Sequence, residues 1–190
     1  MSEQNQKFTH QEQKKTKPKI EDIIPILFDG DMKKDILDFV AYMRANKMPP
    51  IWASLNSWKC SCKNKGVCYI KFNPYETNVR ANGNVWNVSP IIDFNSNEFE
   101  TLAADENLRD FFWANPRYCR PECHRNSCAK RFNQSAESYT GVKQKILGKD
   151  FENMCRGGSL VSFPDNPDEQ TIDYVKKIIE FKKQAINNNV

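Results

Sequence analysis

The sequence predicts an α+β fold, in which an antiparallel sheet of three to five strands packs against helices and a long cysteine-rich loop is present. Two observations predict this fold. Segments near both ends carry apolar residues at helical spacing, and a central segment alternates apolar and polar residues around short turns. The 190 residues include 39% apolar and 27% charged side chains. This composition excludes collagen-like and wholly disordered chains.

The first segment of the chain is basic. Residues 1–20 contain five Lys and two Glu and no apolar block. We therefore expect a disordered basic tail over 1–19, a single α+β domain over 20–187 and a frayed end over 188–190. Because this tail lacks the apolar core of a secretory signal and no apolar run approaches the ~20 residues of a membrane span, we expect a cytoplasmic protein with no membrane partner.

Two helices are predicted with clear boundaries. The first covers 31–47 and ends at Pro49-Pro50. The last begins with Asn166 as N-cap, Pro167 at the first helical position and Glu169 at the third. The apolar positions at helical spacing are Met32, Ile36, Phe39, Val40 and Met43 in the first helix and Ile172, Val175, Ile178, Ile179 and Ile186 in the last.

A hairpin is predicted over 57–72. A three-residue loop over 64–66 would place Cys62 opposite Cys68 and Cys60 opposite Ile70. Because successive side chains of a strand point to opposite faces, one face of the hairpin would carry mostly apolar side chains and the other face would carry the remaining side chains. The apolar set is Trp58, Cys60, Cys62, Cys68, Ile70 and Phe72, and the second set is Lys59, Ser61, Lys63, Val67, Tyr69 and Lys71.

Further elements follow from turn and capping signals. The Asn82-Gly83 turn predicts that Val79 pairs with Trp86 and that a strand covers 84–92. A helix capped by Asn95 should extend to Trp113, with a break near Asp105. Residues 117–138 show no periodicity and predict a long irregular loop, and 160–163 predict a further strand.

The seven cysteines fall into groups with different surroundings. Cys60, Cys62 and Cys68 share the apolar face of the hairpin, where they could converge on a metal ion, but small apolar core residues are the favoured interpretation. Cys119, Cys123 and Cys128 lie in a polar stretch that core packing does not explain. With Cys155 as fourth ligand, these thiols predict a zinc site, and His124 could replace one of them. Unligated thiols and a thiol redox role remain alternatives.

Other catalytic arrangements fit the sequence poorly. A triad would depend on His124, since His10 lies in the tail, and the adjacent Cys123 and His124 side chains normally diverge. Gly141 and Gly148-Lys149 differ from a phosphate-binding loop in spacing, and Asp150 stands where Ser or Thr would bind magnesium. No catalytic residue is therefore assigned.

Three sequence segments carry a family resemblance. They are Asn56-Ser57-Trp58-Lys59, Val67-Cys68-Tyr69-Ile70 and the segment Gly148-Lys-Asp-Phe-Glu-Asn-Met-Cys155. Together with the overall layout, they resemble uncharacterised small bacterial proteins with a YdhG/YjbR-like α+β domain, over about residues 31–187. The resemblance implies that a cysteine-rich stretch precedes the last segment, and the matching positions are Cys119, Cys123, Cys128 and Cys155. It implies no known activity.

The sequence thus favours a non-enzymatic binding or regulatory module that is zinc-braced and recognises a small molecule or a protein. A thiol-dependent redox enzyme or sensor is the alternative, and a nucleic-acid binder that uses the tail and the Arg-rich loop is the third hypothesis. Residues 117–131 carry five basic side chains and one acidic side chain, net +4, against +4 for the whole chain. Residues 1–20 add a net charge of +3, so the rest of the chain carries a net charge of −3 (+4 − 4 − 3). Because this remainder repels phosphate, nucleic-acid binding is not expected.

Overall fold

The structure is a computed structural model that describes residues 10–72, 84–93, 97–102, 104–119, 141–155 and 159–188. Its helices are α1 (His10–Thr16), α2 (Ile20–Leu27), α3 (Gly30–Ala45), α4 (Asn97–Leu102), α5 (Glu106–Ala114) and α6 (Glu169–Asn188). Its strands are β1 (Ile51–Ser54), β2 (Ser57–Cys62), β3 (Lys65–Phe72), β4 (Trp86–Pro90), β5 (Val142–Ile146) and β6 (Lys149–Met154). These elements confirm the predicted α+β class. The contacts divide the chain into two units, Met1–Ile91 with Pro164–Val190 and Ile92–Phe163.

The first unit contains an antiparallel sheet with the strand order β1-β2-β3-β4. The strand predicted over 84–92 is present as β4, and it pairs with β3 through Phe72 and Trp86. The predicted partner Val79 and the Asn82-Gly83 turn lie outside the described residues. With β4 at one edge and β1 at the other, β2 and β3 form the centre of the sheet.

The predicted register of the β2–β3 hairpin is wrong by two residues. The turn consists of Lys63 and Asn64, both with positive φ (43° and 66°), and it places Cys62 opposite Lys65 and Cys60 opposite Cys68. Two left-handed residues in succession form a two-residue hairpin turn, which replaces the expected three-residue loop. A register shift of one follows between Cys60 and Ser61.

The shift of two residues preserves the predicted facing, because side chains alternate with a period of two. Trp58, Cys60, Cys68, Ile70 and Phe72 all have 0% exposure. Cys62, next to the turn, is half-buried. Val67 was predicted on the opposite face and is also buried, because the register shift leaves it as the extra residue between two successive strand pairs.

Helices cover the buried face of this sheet. The helix predicted over 31–47 is present as α3, one or two residues shorter at its end, and its apolar stripe is buried apart from the half-buried Met32. Helix α6 contacts β3 and β4. Phe39 of α3 lies 6.2 Å from the ring of Trp86, and Phe72 lies 5.0 Å from the rings of Phe28 and Trp58. The core is therefore aromatic as well as aliphatic.

Helix α6 begins at Glu169, two residues after the predicted first helical position, Pro167. Asp168 is the cap, since its Oδ1 accepts the backbone N–H of Thr171 at 2.8 Å. Asn166 instead binds the edge of β4: its Oδ1 accepts the N–H of Trp86 at 3.0 Å, and its own N–H donates to the Trp86 carbonyl at 2.7 Å. The turn before α6 thus satisfies backbone groups that an edge strand would otherwise expose.

The structure differs from the predicted disordered tail over 10–19. Residues 10–16 form α1, and Gln13 is fully buried. Helix α2 follows, with Ile20, Ile23 and Ile24 in the core. The tail prediction used composition, whereas the helix is stabilised by polar contacts that composition does not reveal.

The second unit contains α4, α5 and the β5–β6 hairpin. The predicted break near Asp105 is confirmed: Asp105 caps α5, and its Oδ1 accepts the N–H groups of Asn107 and Leu108 at 3.0 and 3.2 Å. The proposed cap Asn95 lies outside the described residues. The strand predicted over 160–163 is reduced to one isolated bridge between Val161 and Pro116.

Candidate metal site at the ends of the cysteine-rich segment

The site is built on a hairpin that sequence reasoning missed. Strands β5 and β6 pair antiparallel around a turn of Leu147 and Gly148, whose φ values are 49° and 85°. Two successive left-handed residues make a two-residue hairpin turn, but leucine rarely adopts this conformation, so Leu147-Gly148 is not a typical turn sequence. The available signal was the alternation of Val142, Gln144 and Ile146 before a glycine.

A third short segment pairs with the outer part of β6. Tyr118 and Met154 form an antiparallel bridge. On either side of it, the N–H of Cys119 donates to the Asn153 carbonyl and the N–H of Cys155 donates to the Arg117 carbonyl, both at 2.8 Å. Residues 117–119 and 153–155 therefore form a short antiparallel ladder. On this ladder Cys119 lies opposite Asn153 and Cys155 lies opposite Arg117, so the two cysteines are diagonal neighbours although 36 positions separate them in the sequence.

Asn153 links both ends of segment 120–140. Its carbonyl accepts the N–H of Cys119, and its side-chain Oδ1 accepts the N–H of Gly141 at 2.9 Å. Asn153 has a φ of 56°, a left-handed conformation that asparagine tolerates better than most residues. We call this arrangement of Asn153 with Cys119 and Gly141 the Asn153 clamp.

The clamp explains the glycine at position 141. A Cβ atom built on Gly141 would lie 2.4 Å from the Asn153 carbonyl carbon and 2.5 Å from its oxygen. Both atoms belong to the backbone, so they cannot rotate away as a flexible side chain would. Only glycine allows the chain to pass this close to Asn153.

The structure therefore places two of the four predicted zinc ligands on one short ladder. Cys119 and Cys155 are both buried, with 6% and 7% exposure. Cys123, Cys128 and the alternative ligand His124 lie outside the described residues. Within the described ranges, no group of three or more His, Cys, Asp or Glu side chains is arranged to hold a metal ion.

The charges on the neighbouring hairpin are largely compensated. Lys143 lies 3.4 Å from Asp150 and 3.3 Å from Glu152, and these two carboxylates raise its pKa. All three side chains are at least half exposed. Of the basic residues predicted to surround the cysteines, Arg117 is described and is exposed on the ladder itself.

The sheet cysteines have a different chemistry. Cys60 and Cys68 are opposite each other and fully buried. A hydrogen bond with the Cys60 thiol, together with burial, raises the pKa of Cys68, and this outweighs the opposing effect of Lys182. A thiol with a raised pKa is a poor nucleophile near neutral pH. The complete burial of Cys60 and Cys68 confirms their predicted core positions, whereas Cys62, predicted with them, is only half-buried.

The register also disfavours a disulfide between these two residues. The N–H of Phe72 donates to the carbonyl of the opposite residue, Asn56. Every second residue pair along β2 and β3, counted from this one, is therefore a hydrogen-bonded pair, and Cys60 with Cys68 is such a pair. At such pairs the Cα atoms are about 5.5 Å apart and the side chains lie farther apart than at the intervening pairs. A disulfide requires Cβ atoms only about 3.5–4.5 Å apart.

Comparison with protein-family models, curated proteins and solved structures finds no match to this chain. The YdhG/YjbR-like resemblance therefore stays a prediction from the motifs. In the parts of the chain that the structure describes, no helix combines the length and apolarity that a bilayer span requires.

Proposed function

We propose that this protein is a non-enzymatic binding or regulatory module that a zinc ion braces at the ends of its cysteine-rich segment. Cys119 and Cys155 would be two of the ligands, and Cys123 and Cys128 would complete a tetrahedral set. The supporting observation is the short ladder held by the Asn153 clamp, on which Cys119 and Cys155 are diagonal neighbours.

Chemistry favours zinc over other ions for this set. Thiolates are soft ligands, and four of them around zinc form a closed site with no position for water or substrate. A closed site of this kind is structural. Four thiolates leave the zinc centre with a formal charge of −2, which the basic side chains of segment 117–131 would offset.

The proposed binding role follows from the position of the zinc site at the ends of segment 120–140. A metal at this position would fix segment 120–140 against the β5–β6 hairpin, and it would present a segment rich in Arg and Lys to a partner. Small molecules or proteins with acidic groups are the ligands that such a segment would recognise. Nucleic acid remains an unexpected partner.

Metal analysis of the full chain, purified without added zinc, tests the proposal. We expect about one zinc per chain in the wild-type protein and a loss of metal in Cys119→Ser and Cys155→Ser. Chelation should lower the melting temperature of the wild-type protein, because ligation stabilises the folded ladder. Cys62→Ser is the matched control, since Cys62 is a half-buried cysteine of the sheet, and it should retain the metal.

Two outcomes would contradict the proposal. One is a metal content far below one per chain, and the other is equal loss of metal in Cys62→Ser and Cys155→Ser. Metal-free protein in which Cys119 or Cys155 is alkylated faster than ordinary cysteine would instead favour the redox alternative, because rapid alkylation requires a stabilised thiolate.

A further inference from the structure

The N-terminal arm, residues 10–19, docks on the first unit almost entirely through polar groups. Residues 11–17 contain no apolar side chain, and Gln13 is the one buried residue among them. Burial of apolar surface is the main force that attaches helices to sheets. A helix without it depends on hydrogen bonds, whose net contribution in water is small compared with the cost of ordering the chain.

The carboxamide group of Gln13 forms hydrogen bonds with three groups. Its Oε1 accepts the indole N–H of Trp52 at 3.2 Å and the backbone N–H of Asn56 at 2.9 Å. Its Nε2 donates to the Asn56 Oδ1 at 2.7 Å. Two donors and one acceptor thus match the carbonyl and amino groups of a carboxamide. We call Trp52 and Asn56 the Gln13 receptor.

The hinge that joins the arm to the rest of the chain is short and strained. Lys17 has a φ of 45°, a left-handed conformation that is unfavourable for a residue with a side chain. Pro18 follows, and its carbonyl accepts the indole N–H of Trp58 at 2.9 Å. The chain is therefore fixed at Pro18, and rotation about Lys17 would release both the strain and the arm.

We propose that the arm is exchangeable and that the Gln13 receptor binds the arm of a second copy of this chain. A short strained hinge favours exchange of the element that it carries. The exchanged arm would form the same hydrogen bonds as the resident one, since the receptor and the arm are identical in the two copies. The dimer would therefore differ from the monomer mainly through the relieved hinge and the new contact between copies.

The position of the receptor suits such a contact. Trp52 lies on β1, the edge strand of the sheet, and the neighbouring Ile51 is 65% exposed. Because the hinge is short, exchange brings the β1 edges of the two copies close together. Ile51, an exposed large apolar residue at this edge, would be covered in the dimer. This inference is independent of the proposed zinc site.

The oligomeric state of the full chain, measured by sedimentation from micromolar to millimolar concentration, tests the inference. We expect a dimer whose fraction rises with concentration in the wild-type protein. Gln13→Ala should remain monomeric throughout, since it removes all three bonds to the receptor. Gln11→Ala is the matched control: Gln11 is an exposed glutamine of the same helix, and this variant should dimerise like the wild-type protein.

Lys17→Gly provides a second variant that leaves Gln13 in place. Glycine adopts the left-handed conformation without strain, so the closed hinge is stabilised, and we expect dimerisation to weaken about tenfold or more. A wild-type chain that stays monomeric at millimolar concentration would overturn the inference. So would a dimer that persists in Gln13→Ala or one that Lys17→Gly leaves unchanged.

Discussion

Two pairs of buried cysteines occupy antiparallel strands in this protein, and their surroundings differ. Cys60 and Cys68 lie in the centre of a four-stranded sheet, among tryptophan and phenylalanine side chains. Cys119 and Cys155 lie on a ladder of three residues on each side, at the ends of a polar segment. Both pairs are less than 10% exposed. Burial alone therefore does not separate a packing cysteine from a candidate ligand.

The difference lies in what stabilises the strands. Strands β2 and β3 pair over six residue positions, and aromatic and aliphatic side chains cover their buried face. Their geometry does not depend on sulfur. The ladder at Cys119 and Cys155 is too short to be stable alone, and it depends on the Asn153 clamp and, in our proposal, on a metal ion.

Gly141→Ala should destabilise the ladder at Cys119 and Cys155 more than any other substitution considered for the two cysteine pairs. The added methyl group would collide with the Asn153 backbone, so the clamp must open at a cost of about 3 kcal/mol. We expect faster hydrogen exchange at the N–H groups of Cys119 and Cys155 and no change at those of β3.

Gly30→Ala is the matched control for this prediction. Gly30 has a φ of 52°, but no atom lies within 4 Å of the added Cβ. Its cost should be about 1 kcal/mol, from backbone strain alone. Unchanged exchange at Cys119 and Cys155 in Gly141→Ala would contradict the importance of the clamp.

Cys68→Ser should cost about 2 kcal/mol of unfolding free energy, because it places a hydroxyl group among apolar side chains. Urea denaturation measures this effect, and Cys62→Ser, at a half-buried position, should cost far less. Metal content should be the same in Cys68→Ser and wild-type protein. A loss of metal in Cys68→Ser would remove the proposed distinction between the two pairs.

The smallest expected effect concerns the cap of α6. Hydrogen bonds from the hydroxyl group and the backbone N–H of Thr171 lower the pKa of Asp168 below its ordinary value of 3.8. A lowered folded pKa means that the charged cap stabilises the protein above the unfolded pKa, and that this stability is lost as pH falls through the folded value. Asp168→Ala should therefore cost about 1 kcal/mol near neutral pH.

Asp168→Asn separates the cap from its charge, since asparagine caps helices without titrating. Urea denaturation of the two proteins at several pH values measures the difference. The wild-type protein should lose stability relative to Asp168→Asn only as pH falls below about 4. A constant difference across this range would show that Asp168 does not titrate with folding.

Local patterns in the sequence determined much of the sheet and its helices. The stripe from Ile36 to Met43 predicted α3, and the alternation around the β2–β3 turn predicted which side chains are buried. Facing is a local property, because it depends on a period of two along a strand or 3.6 along a helix. For this reason the burial of Cys60 and Cys68 was predicted even though their partners were not.

The three-dimensional structure was needed to establish the hairpin register, the docking of the arm and the long-range pairing. Two left-handed residues at Lys63 and Asn64 set the register of the β2–β3 hairpin, and Leu147 and Gly148 adopt left-handed conformations in the β5–β6 turn. The arm is ordered by contacts of Gln13 with Trp52 and Asn56, about 40 residues away. Cys119 and Cys155 are neighbours on one ladder because residues 117–119 pair with residues 153–155. The arm and the ladder depend on partners distant in sequence, whose identity the local periodicity of a segment does not encode. The two turns depend on left-handed conformations that Lys and Leu rarely adopt.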